Sequence, residues 1–350
     1  MKIPKFLKSG DTIAITAPSF GATIEPYISR FNEAIRLFKE RGYKIKIGET
    51  CYKSDGKGIS SNPKICAKEL EDFYLDENIS AIISCGGGEM MCETCGFLDF
   101  EKLKTARPKW FLGYSDNTNF IFPLLTKLDT ASIYGPCISG FGKPWELSEL
   151  YTLDLLEGKN FCVKGFDKFQ SADAGTEAKN ANPLSKYVLT DEKILVSYEC
   201  ENSVAVKTSK RIEIDGMLAG GCLDVLSNLC GTNLDFCTSF NQKYKNLIWV
   251  LEACDYNPMD IRRAIWHLDS SGWFKNACGF VIGRPLAAWK ENLMGVDQYN
   301  AVTDLLSKYN VPIIMDADVG HLSPAVPLVM GSYAKVLAEG NEFSVNMKLL

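Results

Sequence analysis

Strand-like and helix-like segments alternate along the N-terminal part of this chain, from Asp11 to Gly135. The strand-like runs are DTIAITAP, KIKIG, ISAIIS, KWFLGY and ASIYG. The first amphipathic segment between them repeats apolar residues at helical spacing: Ile28, Phe31, Ile35 and Phe38. The second begins with Pro63, a residue favoured at the first helical position. This order predicts an α/β fold with a mostly parallel sheet that is covered on both faces.

The composition changes near residue 157, beyond which the segment 160–195 is polar and weakly periodic. Such a segment is typical of a long connecting loop. Further on, the β-like runs LIWVLE, GFVIGR, VPIIMD and PLVMGSYAKVLAE accompany two helical patterns, PMDIRRAIWHLDSSG and VDQYNAVTDLLSKY. We therefore expect an N-terminal α/β domain over residues 1–165, a connecting region over 166–207 and a C-terminal domain over 208–350.

Composition and charge exclude several classes of partner. The chain has 350 residues, of which 46% are hydrophobic and 23% charged, with a net charge of -5 and no long basic stripe. We therefore expect no nucleic-acid partner. No apolar stretch reaches the length of a spanning helix, and the N-terminus lacks the apolar core of a signal peptide. We expect a cytoplasmic protein without a membrane partner, whose 13 cysteines are reduced thiols.

Only two histidines are available as a general base, His267 and His321. His267 lies inside the amphipathic pattern IRRAIWHLDSSG, where a packing or surface role is the ordinary interpretation. His321 lies in DADVGHLSP, directly after an apolar strand and a glycine. Loops at strand ends are where α/β proteins place reactive groups, so His321 is the stronger candidate base.

Ser115 follows the strand-like KWFLGY and precedes DNTNFIFPLL, so two interpretations are open. A serine at this place commonly caps the following helix. The alternative is a nucleophile elbow, a sharp strand-to-helix turn that exposes the hydroxyl. The usual elbow pattern is G-x-S-x-G, but here Asn117 stands where the second glycine is expected.

Three consecutive glycines, Gly86, Gly87 and Gly88, end the strand-like ISAIIS. Their backbone N–H groups are unobstructed by side chains, which suits an anion or oxyanion site, although a plain tight turn is the alternative. A dinucleotide fingerprint would place a third spaced glycine at position 91, which is Met91, so that motif fails.

Glu252 ends the β-like run LIWVLE, where a carboxylate is often simply solvated and where the carboxylate that orients a histidine base is also found. Three aspartates near strand ends compete less strongly for this role: Asp255, Asp316 and Asp318.

Cysteine chemistry is a weaker alternative. Cys92 and Cys95 form a C-x-x-C pair, but zinc would require a second pair and none exists in the sequence. A redox site is conceivable there, while buried thiols on a helix are the ordinary interpretation. Cys85 and Cys254 lie near the candidate site without a surrounding nucleophile motif.

Several fragments resemble, in this order, the serine peptidases that comprise the LD-carboxypeptidases of peptidoglycan recycling and the microcin C immunity peptidases. The fragments are LKSGDTIAITAPS, ENISAIISCGGGEM with LDF, FLGYSDNT, YGP, GMLAGGCLDVLSNLCGT, LIWVLEACDYNPMDIRRAIWHL and DADVGHLSPAVPLVMGSYAKV. The resemblance covers nearly the whole chain. It implies a flavodoxin-like N-terminal domain, a C-terminal α/β domain with a small β-barrel-like sheet, an active site between the domains, and a homodimer.

The resemblance also implies site residues. Ser115 would be the nucleophile, His321 the base and Glu252 the orienting acid. The backbone N–H groups of Gly87 and Asp116 would form the oxyanion hole, and no metal or organic cofactor would be needed. Substrate contacts would involve the positions of Gly88, Glu89 and Cys222.

Two departures from the family pattern bear on specificity. Cys222 stands where the family usually has asparagine, and three glycines followed by Glu89 replace a glycine pair followed by an aromatic residue. The resemblance also implies that the polar segment 160–195 would be the extra loop typical of the microcin-immunity branch. The expected substrate is a muropeptide tetrapeptide that loses D-alanine, and the alternative is an aminoacyl-nucleotide amide. Two further alternatives are a non-catalytic binding module for an anionic ligand and a nucleotide-dependent oxidoreductase.

Overall fold

The computed structural model describes residues 1–349. The β-strands are β1 (Thr12–Thr16), β2 (Lys44–Ile47), β3 (Ile79–Ser84), β4 (Trp110–Gly113), β5 (Ser132–Tyr134), β6 (Cys162–Lys164), β7 (Lys168–Phe169), β8 (Asp191–Glu192), β9 (Val196–Glu201), β10 (Val204–Thr208), β11 (Ile212–Cys222), β12 (Leu247–Glu252), β13 (Ala277–Gly283), β14 (Asn292–Leu293), β15 (Val296–Asp297), β16 (Ile313–Ala317), β17 (Leu328–Met330), β18 (Tyr333–Glu339) and β19 (Glu342–Lys348).

The α-helices are α1 (Tyr27–Glu40), α2 (Pro63–Leu75), α3 (Met91–Cys95), α4 (Phe100–Leu103), α5 (Thr118–Thr126), α6 (Leu147–Glu157), α7 (Ala172–Ala181), α8 (Leu223–Leu229), α9 (Cys237–Lys243), α10 (Pro258–Ser270) and α11 (Asn300–Leu306). Short 3-10 helices span Glu49–Tyr52, Ser115–Asn117, Ile138–Phe141, Trp273–Asn276 and Ser307–Tyr309. The strands and helices predicted between Asp11 and Gly135 are all present.

The chain folds into two compact units. Unit 1 comprises Met1–Asn160, Asp173–Tyr187 and Pro327–Val329. Unit 2 comprises Phe161–Ala172, Val188–Val326 and the described residues from Met330 onward. The region 166–207, expected from its polarity to be a connection, contributes strands β9 and β10 to the main sheet of unit 2. These strands escaped the sequence reasoning because both keep exposed side chains: Glu199 and Glu201 in β9, and Val204, Val206 and Lys207 in β10.

Unit 1 is built on a six-stranded sheet with the order β17-β5-β4-β3-β1-β2. Strands β1 to β5 run parallel to their neighbours. Strands β1, β3, β4 and β5 contain no exposed side chain, as expected for strands covered on both faces, whereas the edge strand β2 exposes Lys44 and Lys46. Because parallel strands end at the same edge, the loops after β3, β4 and β5 meet at one edge of this sheet.

Helix α1 packs one face into the core of unit 1, with Phe31, Ala34 and Phe38 fully buried. Ile28, expected on this face, is only half-buried. Arg30 is buried instead, because its guanidinium donates to the carbonyl oxygens of Pro183 (2.5 Å) and Ser185 (2.9 Å). The periodicity could not predict this burial, because the two carbonyl groups lie far away along the chain.

Unit 2 is built on a nine-stranded sheet with the order β10-β9-β16-β13-β12-β11-β18-β19-β6. The four central strands, β16, β13, β12 and β11, pair in parallel. The outer strands pair antiparallel. The carboxyl ends of the parallel strands again share one edge, which carries Cys222, Glu252 and the loop that contains His321. The predicted α/β fold class is confirmed.

None of the helices among residues 1–349 has the length and apolar character that crossing a membrane requires.

Candidate active site

Ser115 lies at a sharp turn between strand β4 and helix α5 of unit 1. It has a φ of +62°, in the left-handed region that a residue with a side chain seldom adopts. It begins the 3-10 helix Ser115–Asn117, and neither this helix nor α5 has a side-chain cap. Ser115 is therefore not a helix cap, and its strained backbone has the strand-turn-helix form of a nucleophile elbow.

Asn117, which stands in place of the second elbow glycine, ties the elbow to the glycine turn. Its side-chain amide donates to the carbonyl oxygens of Gly86 (2.9 Å) and Tyr114 (3.0 Å). A Cβ atom on Gly113 would lie only 2.7 Å from Cγ of Asn117. The first glycine of the pattern is thus required because it leaves room for the Asn117 side chain.

The glycine turn lies directly beside Ser115. A Cβ atom on Gly87 would lie 3.2 Å from Cβ of Ser115 and 3.3 Å from its Oγ. The Gly87 carbonyl accepts a hydrogen bond from the N–H of Phe20 at 3.1 Å. Gly88 has a φ of +143°, and a Cβ atom there would overlap Oγ of Ser19 at 2.1 Å. The turn therefore approaches the serine closely because it lacks side chains.

The carboxylate of Asp116 is buried and holds three parts of unit 1 together. It accepts hydrogen bonds from Oγ of Ser19 (2.5 Å), the N–H of Met91 (2.9 Å) and the amide of Asn119 (2.7 Å). Burial raises the pKa of Asp116, while these donors oppose the shift. Its side chain is thus structural, and only its backbone N–H is a candidate for the oxyanion hole.

Glu252 and His321 are in direct contact within unit 2. Glu252 is the last residue of β12, and His321 follows β16 by a short loop. Nδ1 of His321 lies 2.7 Å from Oε2 of Glu252, and the Glu252 side chain is fully buried. A neutral His321 that donates from Nδ1 to this carboxylate presents Nε2 as the basic nitrogen.

Two glycines make room for this pair. Gly320, with a φ of +105°, would place a Cβ atom 2.5 Å from Oε2 of Glu252. Gly283, at the end of β13, would place one 2.8 Å from Cβ of Glu252. A side chain at Gly320 would therefore displace the carboxylate that His321 contacts, and one at Gly283 would clash first with the carbonyl oxygen of Val319, at 2.2 Å.

The pKa of His321 is set by opposing effects. Burial alone would lower it, but the charge of Glu252 and hydrogen bonds with Cys254 and Glu252 raise it well above its usual value. Burial also raises the pKa of Cys254, although its contact with His321 works in the opposite direction. Cys254 is therefore a protonated neighbour of the histidine at neutral pH.

The other aspartates near the strand ends have different partners. Asp318 pairs with Arg284 (2.6 Å) and Lys193 (3.3 Å), and Asp316 accepts from Gln298 (2.6 Å) and Tyr299 (2.7 Å). Asp255 is exposed. Among the candidate carboxylates, it is Glu252 whose oxygen contacts the ring of His321.

Asp224, on α8, is a residue of the site that sequence reasoning missed. Its carboxylate accepts from the N–H groups of Cys254 (3.1 Å) and Asp255 (2.9 Å), and so fixes the loop after Glu252. Cys222, opposite Glu252 in the β11–β12 register, is buried, and its thiol lies 3.6 Å from the same carboxylate. No local pattern predicts contacts between residues so distant along the chain.

The remaining candidates take ordinary positions. His267 lies half-exposed on α10. Cys92 is exposed and Cys95 buried on α3, and burial raises the pKa of both, which keeps their thiols protonated. Glu89 is exposed and Gly88 half-exposed at the glycine turn. Within residues 1–349, no three His, Cys, Asp or Glu side chains gather in an arrangement that could hold a metal ion.

Sequence comparison identifies matches to two family models. The LD-carboxypeptidase N-terminal domain matches residues 13–135, and the LD-carboxypeptidase C-terminal domain matches residues 215–336. The microcin C7 self-immunity protein MccF of Escherichia coli is 22% identical over 349 residues, covering 98% of this chain and 95% of that protein. The candidate carboxypeptidase YocD of Bacillus subtilis is 25% identical over 342 residues, covering 95% of each chain.

Solved structures share the fold. An MccF-like protein from Bacillus anthracis superposes with a TM-score of 0.77 at 20% identity, covering 99% of this chain and 100% of that one. MccF in complex with aspartyl sulfamoyl adenosine gives a TM-score of 0.77 at 20% identity, covering 99% of each chain. A muramoyltetrapeptide carboxypeptidase from Oxalobacter formigenes gives a TM-score of 0.69 at 20% identity, covering 97% of this chain and 99% of that one.

Proposed function

Because this chain belongs to the LD-carboxypeptidase family of peptidases, which includes MccF, we propose that it is a serine carboxypeptidase or amidase. It hydrolyses an amide bond through an acyl-enzyme. The observation that carries the proposal is the left-handed backbone of Ser115 at the turn after β4, with Gly87 beside its hydroxyl. Strain of this kind in a residue with a side chain persists where the surrounding structure enforces it, commonly at functional sites.

In the proposed reaction, Oγ of Ser115 attacks the carbonyl carbon of the scissile amide while Nε2 of His321 accepts its proton. Glu252 holds the tautomer of His321 and stabilises the imidazolium that forms. His321 then donates the proton to the leaving amine, and water hydrolyses the acyl-enzyme with His321 again as the base.

The N–H groups of Gly87 and Asp116 would stabilise the tetrahedral oxyanion. Each such donor contributes on the order of 3 kcal/mol to transition-state stabilisation in hydrolases. The position of Gly87 next to Ser115 supports this role, because the oxyanion is carried by the same carbon atom to which Oγ of Ser115 becomes bonded. Among residues 1–349, the N–H of Gly87 donates to no protein acceptor.

We propose a muropeptide tetrapeptide as the substrate, from which the enzyme releases D-alanine. The structural likeness to a muramoyltetrapeptide carboxypeptidase supports this choice. The likeness to MccF, which binds aspartyl sulfamoyl adenosine, supports the alternative of an aminoacyl nucleotide joined by an amide bond. The exposed Glu89 and the half-exposed Gly88 are proposed to contact the substrate, whereas the buried Cys222 would act through its neighbours.

The test is a side-by-side assay of both substrates with the wild type and with Ser115→Ala. Activity should be lost in Ser115→Ala and kept in Ser139→Ala, a half-exposed serine of the same unit. Full activity of Ser115→Ala would overturn the proposal. The substrate that is cleaved with the higher kcat/KM shows whether the enzyme acts as an LD-carboxypeptidase or as a microcin immunity peptidase.

Two other classes of function predict different results. A non-catalytic binding module would leave Ser115 unlabelled by a fluorophosphonate, whereas the proposed nucleophile reacts with it. A redox function of Cys92 and Cys95 would make Cys92→Ser inactive, whereas the serine mechanism leaves this exposed position without effect.

A further inference from the structure

Tyr134, the last residue of strand β5, contacts the backbone of Ser115. Its hydroxyl oxygen accepts the N–H of Ser115 at 3.2 Å. The tyrosine is buried, with 2% of its surface exposed, and it pairs with Gly113 in the parallel register between β4 and β5. The hydroxyl is therefore placed by the pairing of two central strands.

The backbone around this contact is fixed on both strands. The N–H of Gly135 donates to the carbonyl oxygen of Gly113 at 3.0 Å, directly before the elbow. Ser115 departs from the strand with a φ of +62°, and the acceptor of its N–H is a side chain. A left-handed residue with a side chain keeps this conformation only when its surroundings enforce it.

We propose that Tyr134 is a positioning residue for the reaction: its hydroxyl holds the Ser115 N–H and thereby fixes the direction of the nucleophile. This role rests on the proposed function of Ser115. The hydrogen bond between Tyr134 and the N–H of Ser115 also determines which groups bind the oxyanion. Because the N–H of Ser115 is engaged by Tyr134, the donors left for the oxyanion are those of Gly87 and Asp116.

A purely structural role of the tyrosine would depend on its ring, which packs edge to face against the ring of Tyr114 with 6.3 Å between the ring centroids. Tyr134→Phe keeps the ring and removes only the hydroxyl, so it separates the two roles. Tyr74→Phe is the matched control, because Tyr74 is an equally buried tyrosine of the same unit and lies on helix α2.

The experiment measures kcat, KM, the rate of fluorophosphonate labelling and Tm for both variants. In Tyr134→Phe we expect kcat and the labelling rate to fall together by about 10²-fold, because misplacing a reacting group lowers reaction rates by this amount. We expect KM and the acidic limb of the pH profile to stay unchanged, because substrate contacts and His321 are untouched. Tyr74→Phe should keep wild-type kcat and labelling.

The outcomes separate this inference from the proposed function. Wild-type kcat and labelling in Tyr134→Phe, with Ser115→Ala inactive, would overturn the positioning role alone. A fall in kcat/KM that comes entirely from KM would overturn it as well. Full activity of Ser115→Ala would overturn the proposed function. If Tyr134→Phe does not fold, hydrogen exchange of the wild type decides: slow exchange of the Ser115 amide supports the contact, and exchange at the free rate overturns it.

Discussion

Nδ1 of His321 lies 2.7 Å from Oε2 of Glu252, although Glu252 ends strand β12 and His321 lies in the loop after strand β16. The contact is possible because β12 and β16 both end at the same edge of the parallel centre. Burial alone would lower the pKa of His321, but the charge of Glu252 raises it. An orienting carboxylate has this effect on a histidine that serves as a general base, and it also favours the tautomer that donates from Nδ1.

Removing the charge of Glu252 should lower both the activity and the pKa of His321. We expect Glu252→Gln to lose kcat on the order of 10³- to 10⁴-fold, because the amide no longer enforces the tautomer. The histidine must be neutral to act as a base, so activity is lost as the pH falls through its pKa. Without the Glu252 carboxylate that pKa is lower, and the acidic limb of kcat/KM should move to lower pH.

The control for this prediction is Glu199→Gln, an exposed glutamate of the same unit that pairs with Lys210. It should keep wild-type activity and the wild-type pH profile. An acidic limb that stays in place in Glu252→Gln, or moves to higher pH, would contradict the assigned role of the carboxylate.

A methyl group at Gly87 should crowd the nucleophile. The Cβ atom of Gly87→Ala would lie 3.3 Å from Oγ of Ser115, tighter than an ordinary contact. We expect kcat to fall about 10- to 100-fold, because small displacements of reacting groups have effects of this size. Gly86→Ala is the matched control, since its Cβ atom would meet only the Phe20 carbonyl oxygen at 3.6 Å. Equal activity of the two variants would refute the placement of Gly87.

Asn117→Gly restores the G-x-S-x-G pattern, yet it should impair the enzyme. The substitution removes the two side-chain hydrogen bonds by which Asn117 holds the carbonyl oxygens of Gly86 and Tyr114, and it leaves space where the buried Asn117 side chain lies. We expect the free energy of unfolding to fall by about 1–3 kcal/mol, together with a loss of kcat. Urea denaturation and steady-state kinetics provide the two measurements.

A double-mutant cycle with Gly113→Ala tests the same contact from its other side. The three atoms nearest to a Cβ on Gly113 all belong to Asn117. Gly113→Ala should therefore destabilise the wild type much more than it destabilises Asn117→Gly. Additive effects of the two substitutions would exclude the contact.

The buried Asp316 should make stability depend on pH. Burial raises its pKa to about 6, while the pKa of an unfolded aspartate is about 3.9. Between these values the folded protein holds a proton that the unfolded chain lacks, so the contribution of Asp316 to stability falls as the pH rises. The Tm of the wild type minus that of Asp316→Asn should therefore decrease from about pH 4 to pH 7.

Asp76→Asn provides the control for this measurement. Asp76 has its pKa lowered to about 2 by Lys46, so it is ionised in both states above about pH 5. The difference in Tm between Asp76→Asn and the wild type should be constant from there to neutral pH. The prediction would be contradicted if the Tm of the wild type minus that of Asp316→Asn increased with rising pH.

The central strands and main helices could be predicted because their signals are local. Apolar runs such as ISAIIS and KWFLGY predict buried parallel strands. In helix α1, the spacing of the apolar residues predicts which face is buried. Strand β10 was not predicted, since an exposed edge strand has no continuous apolar run. The burial of Arg30 was not predicted either, because it depends on carbonyl groups that only the folded chain brings near.

The same distinction holds at the candidate site. Ser115, Glu252 and His321 could be selected because each follows an apolar strand and because histidine is scarce. Sequence reasoning could not predict the contacts of Asn117, Asp224 and Tyr134, because each side chain binds backbone groups of another segment.

The close approach of Gly113 and Asn117 has a consequence for how this sequence can change over generations. With asparagine at 117, no residue larger than glycine fits at 113, so the two positions cannot drift independently. A descendant lineage has to shorten residue 117 first and accept the weakened intermediate before position 113 becomes free. The order of these steps is set by geometry, and relatives that carry a side chain at the first position are expected to have lost the asparagine.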